Sequence, residues 1–343
     1  MGFEDGSRIT ISTIAREAGV SVPTVSRVLN GRSDVAPQTR ARVEELLHRY
    51  GYQRRAGRAR DGAAGLVDLV FNDLDSPWAV EVIRGVEDVT HAAMVGTVVS
   101  AVHQRPESAR TWLRNLQVRA TDGVILVASD VPSPVHEGLR RLGIPTVVID
   151  PAGVPTQDVP TVGAANWTGG VAATEHLLGL GHRRIGFIAG PRRLLCSRTR
   201  LDGHLAALES AGVEPAEELI QQGDFYHESG YECTGRLLSL DEPPTAIFAS
   251  SDQMAFGAYE AVRRRGLRVP DDISIVGFDD LPEARWSSPP LTTVRQPLSE
   301  MGALAARTVL RLAQGERIES MRLELATELV VRDSTTTLAP SPA

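Results

Sequence analysis

The chain has 343 residues, 42% of them hydrophobic, and a formal net charge of −7. That length allows two or three domains with real cores, and the acidic balance speaks against a uniformly basic nucleic-acid binder. No apolar run approaches the ~20 residues of a membrane span, and the start MGFEDGSRIT is too polar for a secretory leader.

A cytoplasmic chain with no membrane partner is therefore expected. Cys196 and Cys233 are too few and too far apart for a disulfide framework or a zinc site. The charge is unevenly spread. Residues 1–60 carry eleven arginines against six acidic residues, a surplus of five, so the remainder is net −12. A small basic head on a large acidic body is expected when only the head meets phosphate.

The head opens with STIAREAGVSVPTVSRVLN, residues 12–30. Ile14, Ala15, Ala18, Val20, Val25, Val28 and Leu29 recur at helical spacing and predict two short helices closing one small core. Gly19 stops the first helix, Ser21 caps the second, and Pro23 falls in its first turn, where a missing N–H is harmless. The second helix offers Ser21, Thr24, Ser26 and Arg27, which predicts a helix-turn-helix with its recognition helix in a major groove. After Asn30-Gly31, Pro37 starts a third helix with Val43, Leu46, Leu47 and Tyr50 on one face. The segment QRRAGRARDGAA, residues 53–64, has no apolar periodicity and reads as a linker.

From Gly65 onward, short β-branched runs alternate with helical stretches. GLVDLVF, GTVVSAV, DGVILVAS, IPTVVID and VPTVGAA predict one series of strands. RIGFIAG, ELIQQGD, PTAIFAS, DISIVGF and LTTVRQ predict a second, displaced by roughly 120 residues, with helices of 10–15 residues between strands. This pattern implies two doubly wound parallel-sheet lobes with a ligand cleft between them. A helix MGALAARTVLRLAQ and one last strand, RLELATELVVR, complete the body. The expected division is 1–52 head, 53–64 linker, 65–333 two-lobed body and 334–343 disordered tail. Lobe one takes about 65–165 plus 295–325, and lobe two about 166–294 plus 326–333.

In this order, TIAREAGVSVPTVSRVLNG, TRARVEELLHRYGY, TEHLLGLGHRRIGFIAGP, GDFYHESGY, PTAIFASSDQMAFGAYEAVRRRGLRVPDDISIVGFDD and PPLTTVRQP make the chain resemble the lactose-repressor/galactose-repressor (LacI/GalR) family almost end to end. The resemblance implies an all-α head on two periplasmic-binding-protein-like lobes. It also implies a homodimer on operator DNA and a small molecule in the cleft that sets DNA affinity. It places Thr10, Ile11, Ser21, Thr24, Ser26, Asn30, Thr39 and Tyr52 at the DNA, with Val22 and Pro23 at base-reading positions. Neither Val22 nor Pro23 donates a hydrogen bond to a base, which leaves Arg27 as the recognition-helix side chain able to pair with guanine, or else to clamp a phosphate. The linker departs from the family: it holds twelve residues and lacks the leucine that wedges into the minor groove. Arg54, Arg55 and Arg58 remain as backbone contacts there.

For the cleft, the resemblance implies Asn72, Asp75 and Trp78 from lobe one, with Trp167, Arg200, Phe225, Ser251 and Asp279 completing it. Arg200 and Asp279 would fork onto ligand hydroxyls between Trp78 and Phe225, with Trp286 near the opening. This chemistry suits a saccharide, and a purine-type corepressor is the alternative. Asp252 and Asp280 are expected to cap helices, and His176 and His182 to be structural.

No GxGxxG follows a strand, and GxxxxGK[ST], GxSxG and HExxH are all missing, so no catalytic residue, metal or cofactor is expected. A sugar-processing enzyme and a sugar-binding transport module are the other classes; the DNA head speaks against both. The tail has no leucine heptads, which favours a dimer over a tetramer.

Overall fold

Local punctuation sets the head. In the computed structural model, which describes residues 11–29, 35–50, 65–102, 105–127, 133–153 and 159–338, helix α1 spans Ile11–Ala18 and α2 spans Val22–Leu29. Gly19 between them has φ +67°, a left-handed conformation that a side chain would strain. Ser21 Oγ accepts a long 3.4 Å bond from the Thr24 amide at the start of α2. Helix α3, Pro37–Arg49, closes the bundle. Ile14, Ala15, Ala18, Val25, Val28, Val43 and Leu46 are its buried core, joined by Val35 from the preceding loop. The Tyr50 hydroxyl donates to Glu17 Oε2 at 2.7 Å and ties the end of α3 to α1. The head belongs to one compact unit, Met1–Arg60; the rest of the chain, Asp61–Ala343, forms the other.

The second unit holds two six-stranded sheets. The first contains β1 (Leu66–Phe71), β2 (Gly96–Ala101), β3 (Gly123–Val127), β4 (Thr146–Ile149) and β5 (Thr161–Ala164). The second contains β6 (Ile185–Ala189), β7 (Ile220–Gln222), β8 (Ala246–Ala249), β9 (Ser274–Asp279) and β10 (Thr292–Arg295). The first sheet is packed by α4 (Pro77–Ala92), α5 (Pro106–Arg119) and α6 (Ser133–Leu142). The second takes α7 (Asn166–Gly179), α8 (Leu195–Ser210), α9 (His227–Leu237) and α10 (Asp252–Arg264). The short α11 (Glu283–Trp286) and the long α12 (Leu298–Ala313) follow.

Two short strands near the end, β11 (Arg322–Leu325) and β12 (Glu328–Val330), extend the two sheets separately. The strand orders are β11-β5-β4-β3-β1-β2 and β12-β10-β9-β8-β6-β7, which match position for position. The ladders are parallel apart from β10–β12, and the central strands are buried on both faces, as helices on both sides require.

The segment RLELATELVVR, expected as one strand, is therefore two. Between them Thr327 Oγ1 donates to Ala165 O at 3.2 Å, beside the earlier crossing from β5 to α7. A third crossing runs from β10 into α12, which packs Met301, Ala305, Ala306 and Val309 into the lobe-one core with Val82 and Val86 of α4.

The expected disordered tail is also corrected: residues 334–338 are packed onto lobe two. Ser334 is fully buried, donates to Ile275 O at 2.6 Å and accepts from the Thr292 amide at 2.8 Å. His182 contacts Thr336 O at 3.1 Å, and His176 meets Thr335 Oγ1 at 2.9 Å. The two histidines are thus structural, fastening the tail at the edge where strands of sheet two begin. Residues 339–343 lie outside the described residues.

Candidate ligand cleft

The C-terminal ends of β1, β3 and β4 meet those of β6, β8 and β9 around a cavity of about 160 Å³. Open α/β sheets bind ligands at such ends, where loops diverge from strands. A wider depression beside Leu205, Glu209 and Ile220 has no comparable convergence of buried polar groups.

Lobe two supplies the most tightly held group. Arg200 of α8 is 3% exposed. Its Nε donates to Asn166 Oδ1 at 2.8 Å and its Nη1 to Ser250 O at 2.6 Å. Its guanidinium carbon lies 3.8 Å from the Phe278 ring centroid and 5.5 Å from that of Phe225. Nη1 is also 3.8 Å from Asp279 Oδ1, which accepts a 2.6 Å bond from Gln296 Nε2. Burial pushes the Asp279 carboxyl up to about 7, against the pull of Arg200 and Gln296.

Lobe one answers with Asp150, directly after β4. It is buried and takes φ +47°, left-handed for a residue with a side chain. Burial raises its carboxyl to about 6, opposed first by Arg200. Asp279, at the end of β9, has φ +131°. Strands β4 and β9 occupy the same place in the two strand orders, so the repeated fold aims one aspartate from each lobe at the cavity. Backbone held in such sparsely populated regions costs on the order of 1–3 kcal/mol and clusters at functional sites.

The aromatic groups are positioned as firmly. Phe225 has φ +80° and is fixed from both sides. Asp224 Oδ1 accepts from the Tyr226 amide at 2.9 Å and from Ser229 Oγ at 2.6 Å. Ser251 Oγ donates to Phe225 O at 2.9 Å and accepts from the Met254 amide, capping α10. Gly190 lets the Phe225 ring approach the loop after β6 closely, since a Cβ there would collide with the ring. Trp78 enters from the first turn of α4, where Ser76 Oγ accepts its amide at 3.3 Å.

Of the expected cleft residues, Asn72, Trp78, Arg200, Phe225, Ser251 and Asp279 line the cavity. Two do not. Asp75 is exposed on the outer part of the β1–α4 loop, and Trp167 is 50% exposed on α7. Trp286 is 71% exposed and also lies outside the lining.

Asp252 and Asp280 cap no helix. Asp252 is fully buried and accepts from the Leu281 amide at 2.8 Å and Thr293 Oγ1 at 2.5 Å, tying α10 to β10 and to the turn that follows β9. Asp280 holds Arg295 at 2.7 Å and Arg332 at 2.5 Å. The lining also includes Asp73, Ser76, Asp150, Cys196, Tyr226 and Gln253, which sequence reasoning missed. Asp150 carried a usable signal, because VVID ends its strand as VGFD ends the matching one. Burial pushes the Cys196 thiol up to about 12, so it is no nucleophile at neutral pH.

In the head, Ser21, Val22, Pro23 and Arg27 are exposed on or next to α2, while Thr24 and Thr39 are half-buried. Ile11 begins α1, and Ser26 lies in α2. Thr10, Asn30, Tyr52, Arg54, Arg55 and Arg58 lie outside the described residues. Among the described residues no group of three or more His, Cys, Asp or Glu could hold a metal ion, and no helix is long and apolar enough to cross a membrane.

Comparison with known proteins agrees with this architecture. Residues 10–55 match the model for bacterial regulatory proteins of the lacI family, and residues 174–335 match a periplasmic binding protein-like domain. The HTH-type transcriptional repressor CytR of Escherichia coli (strain K12) is 34% identical over 333 residues, covering 96% of this chain and 97% of the repressor. Among solved structures, the transcriptional regulator CelR–cellobiose complex is 34% identical with a TM-score of 0.74, covering 95% of this chain and 100% of that one. The Lac repressor dimer bound to operator and the anti-inducer ONPF is 28% identical with a TM-score of 0.76, covering 96% of this chain and 100% of that one. With an α1–α2 hairpin ahead of two matched lobes and a full-length relative at this identity, the chain belongs to the lacI family of bacterial regulatory proteins.

Proposed function

We propose that this transcription regulator acts in the cytoplasm as a homodimeric repressor, and that a saccharide bound between its lobes controls its affinity for operator DNA. The observation that carries the ligand assignment is the meeting of Arg200, Asp279 and Asp150 with Trp78 and Phe225 in one cavity. Sugar hydroxyls donate to carboxylates and accept from a guanidinium, while the C–H faces of the ring pack on aromatic side chains. In the head, the exposed Ser21, Val22, Pro23 and Arg27 form the DNA-reading surface, together with Thr24 and Ser26. Arg27 supplies the hydrogen bonds to a base edge. The linker arginines Arg54, Arg55 and Arg58 add backbone contacts. The relatives are transcriptional regulators, and the chain performs no reaction in this reading.

Control follows from linkage. A ligand that prefers one lobe arrangement shifts its population and so the DNA affinity; equal affinity for both arrangements would shift nothing. Selection from random duplexes should return a near-palindromic operator for the full chain and none for a chain lacking residues 1–60. Specific binding retained by the shortened chain would remove the head from this role. A thermal-shift panel of mono- and oligosaccharides with purines identifies the ligand class, because a cleft ligand stabilises by mass action. A response confined to purines would replace the saccharide.

A further inference from the structure

The protein's own side chains bridge the cleft at two points. The Tyr226 hydroxyl donates to Asp73 Oδ1 at 2.6 Å, and Gln253 Nε2 donates to Ser76 Oγ at 3.3 Å. Both donors belong to lobe two and both acceptors to lobe one. The donors are parts of one fastened unit. Asp224 accepts the Tyr226 amide, and Ser251, immediately before α10 and Gln253, donates to the carbonyl of Phe225. The acceptors lie three positions apart on the loop that carries Asn72 into the cavity and starts α4. Ser76 Oγ therefore receives two N–H groups, that of Trp78 in its own helix and that of Gln253 across the cleft. Burial and the Asp73 carboxylate push the Tyr226 phenol up, so it remains a donor throughout the neutral range.

We infer that Tyr226–Asp73, backed by Gln253–Ser76, is a latch that holds the lobes closed over the cavity and sets the closed population on which the ligand acts. The inference rests on the reading that lobe closure governs operator affinity. It adds that part of the closure energy is built into the chain rather than supplied by the ligand. Because the latch closes onto the N-cap of α4, closure is registered where Trp78 enters the cavity. From there α4 passes it to α12, with which it shares the lobe-one core. A hydrogen bond to a charged acceptor is stronger than a neutral one, so Tyr226–Asp73 carries more of the effect than Gln253–Ser76.

The test is amide hydrogen exchange on the full chain with Tyr226→Phe, Asp73→Asn, the double variant and Gln253→Ala. The latch predicts effects across the cleft. Tyr226→Phe speeds exchange at residues 78–80 of lobe one, and Asp73→Asn speeds it at residues 225–230 of lobe two, each by about tenfold. Gln253→Ala does so by about threefold. The double variant exchanges no faster than either single one, since both remove the same bond. Changes confined to the substituted lobe, or additive in the double variant, overturn the latch.

Titration of the selected operator supplies the regulatory readout. The two single variants and the double shift its affinity in one direction by a similar several-fold factor. Unchanged affinity beside altered exchange overturns the regulatory role. If the wild-type chain binds no selected duplex, the operator reading fails, and the exchange data still decide the latch.

Discussion

The two lobes share a strand order, and each ends the same strand on an aspartate, yet the two carboxylates keep different company. Asp279 of lobe two is gripped by Gln296 at 2.6 Å and lies 3.8 Å from Arg200, which is itself held by Asn166 and Ser250. Asp150 of lobe one has a backbone hydrogen bond from Ala164 and the attraction of an arginine on the other lobe. Phe225 and Arg200 are thus fixed by lobe two, and Asp279 by Gln296 directly after β10, whereas the counter-charge of Asp150 is the Arg200 of the opposite lobe. A duplicated fold has become one prepared wall and one wall completed by closure. Preorganised groups cost less to bind because their ordering is settled before the ligand arrives.

Removing the centre of the prepared wall has the largest expected effect. Arg200→Ala leaves Asp279 buried beside an empty position, and breaking a buried pair in this way costs about 3–5 kcal/mol. Ligand response should vanish in calorimetric titration with the saccharide that stabilises the wild type, and the urea midpoint should fall. Operator affinity without saccharide should persist. Retained ligand binding would move the site elsewhere. Arg200→Lys, which keeps the charge but loses the planar fork, should restore stability more than binding.

A smaller effect separates the walls. Asp279→Asn should weaken saccharide binding by about a hundredfold, and Asp150→Asn by about tenfold, as one or two charge-assisted hydrogen bonds are lost. Equal losses would erase the distinction between them, and the reverse order would make lobe one the prepared wall.

The same pair gives a pH dependence. Burial raises both folded values, to about 7 for Asp279 and about 6 for Asp150, above the ordinary carboxylate value near 4. The folded chain therefore holds these protons where the unfolded chain has released them. The stabilisation is complete below about pH 4 and is lost as pH rises through about 6 and then about 7. Urea midpoints should fall between pH 5 and pH 8. Asp279→Asn should flatten the upper part of that fall, and Asp150→Asn the lower part. A midpoint rising over this interval would reverse the sign.

The alternation of strands and helices was plain in the sequence because its periods are local. β-Branched runs such as VILV and IVGF sit next to glycine or aspartate, as in DGVILV and IVGFD, and helices such as α4 and α12 keep one apolar stripe. The cleft residues Arg200, Phe225 and Asp279 were legible through their motifs. Asp150 was legible only by matching VVID with VGFD across the two strand series, because by itself a strand-ending aspartate before proline also suits a plain turn. Trp167 and Asp75 misled for the opposite reason. Asp75 precedes Ser76 of the lining and Trp167 follows Asn166, the partner of Arg200, but a helix or loop turns neighbouring side chains away from each other, so proximity in sequence does not give direction. Asp252 looked like a helix cap because it begins α10, yet Ser251 performs that task and Asp252 bonds across to β10. Its partner Thr293 is distant in sequence, where no local pattern reaches.

The tail was hidden by composition, and it offers the mildest way to sharpen the comparison of lobes. STTTLAPSPA is polar enough to stay solvated, but Ser334 finds two buried backbone partners, Ile275 O and the Thr292 amide, between strands β9 and β10. Thr336 likewise donates its amide to Ser274 Oγ at 3.0 Å. These bonds fasten only sheet two, at the edge away from the cleft, so they stabilise the prepared wall without touching ligand. Ser334→Ala leaves both backbone groups without that partner and should cost about 1–2 kcal/mol. The urea midpoint should fall by that amount while saccharide affinity at saturating folding conditions stays unchanged. Lost affinity at full stability would mean that the strap reaches the cavity through β9 and Asp279, and that the rigidity of the prepared wall is set from its far edge.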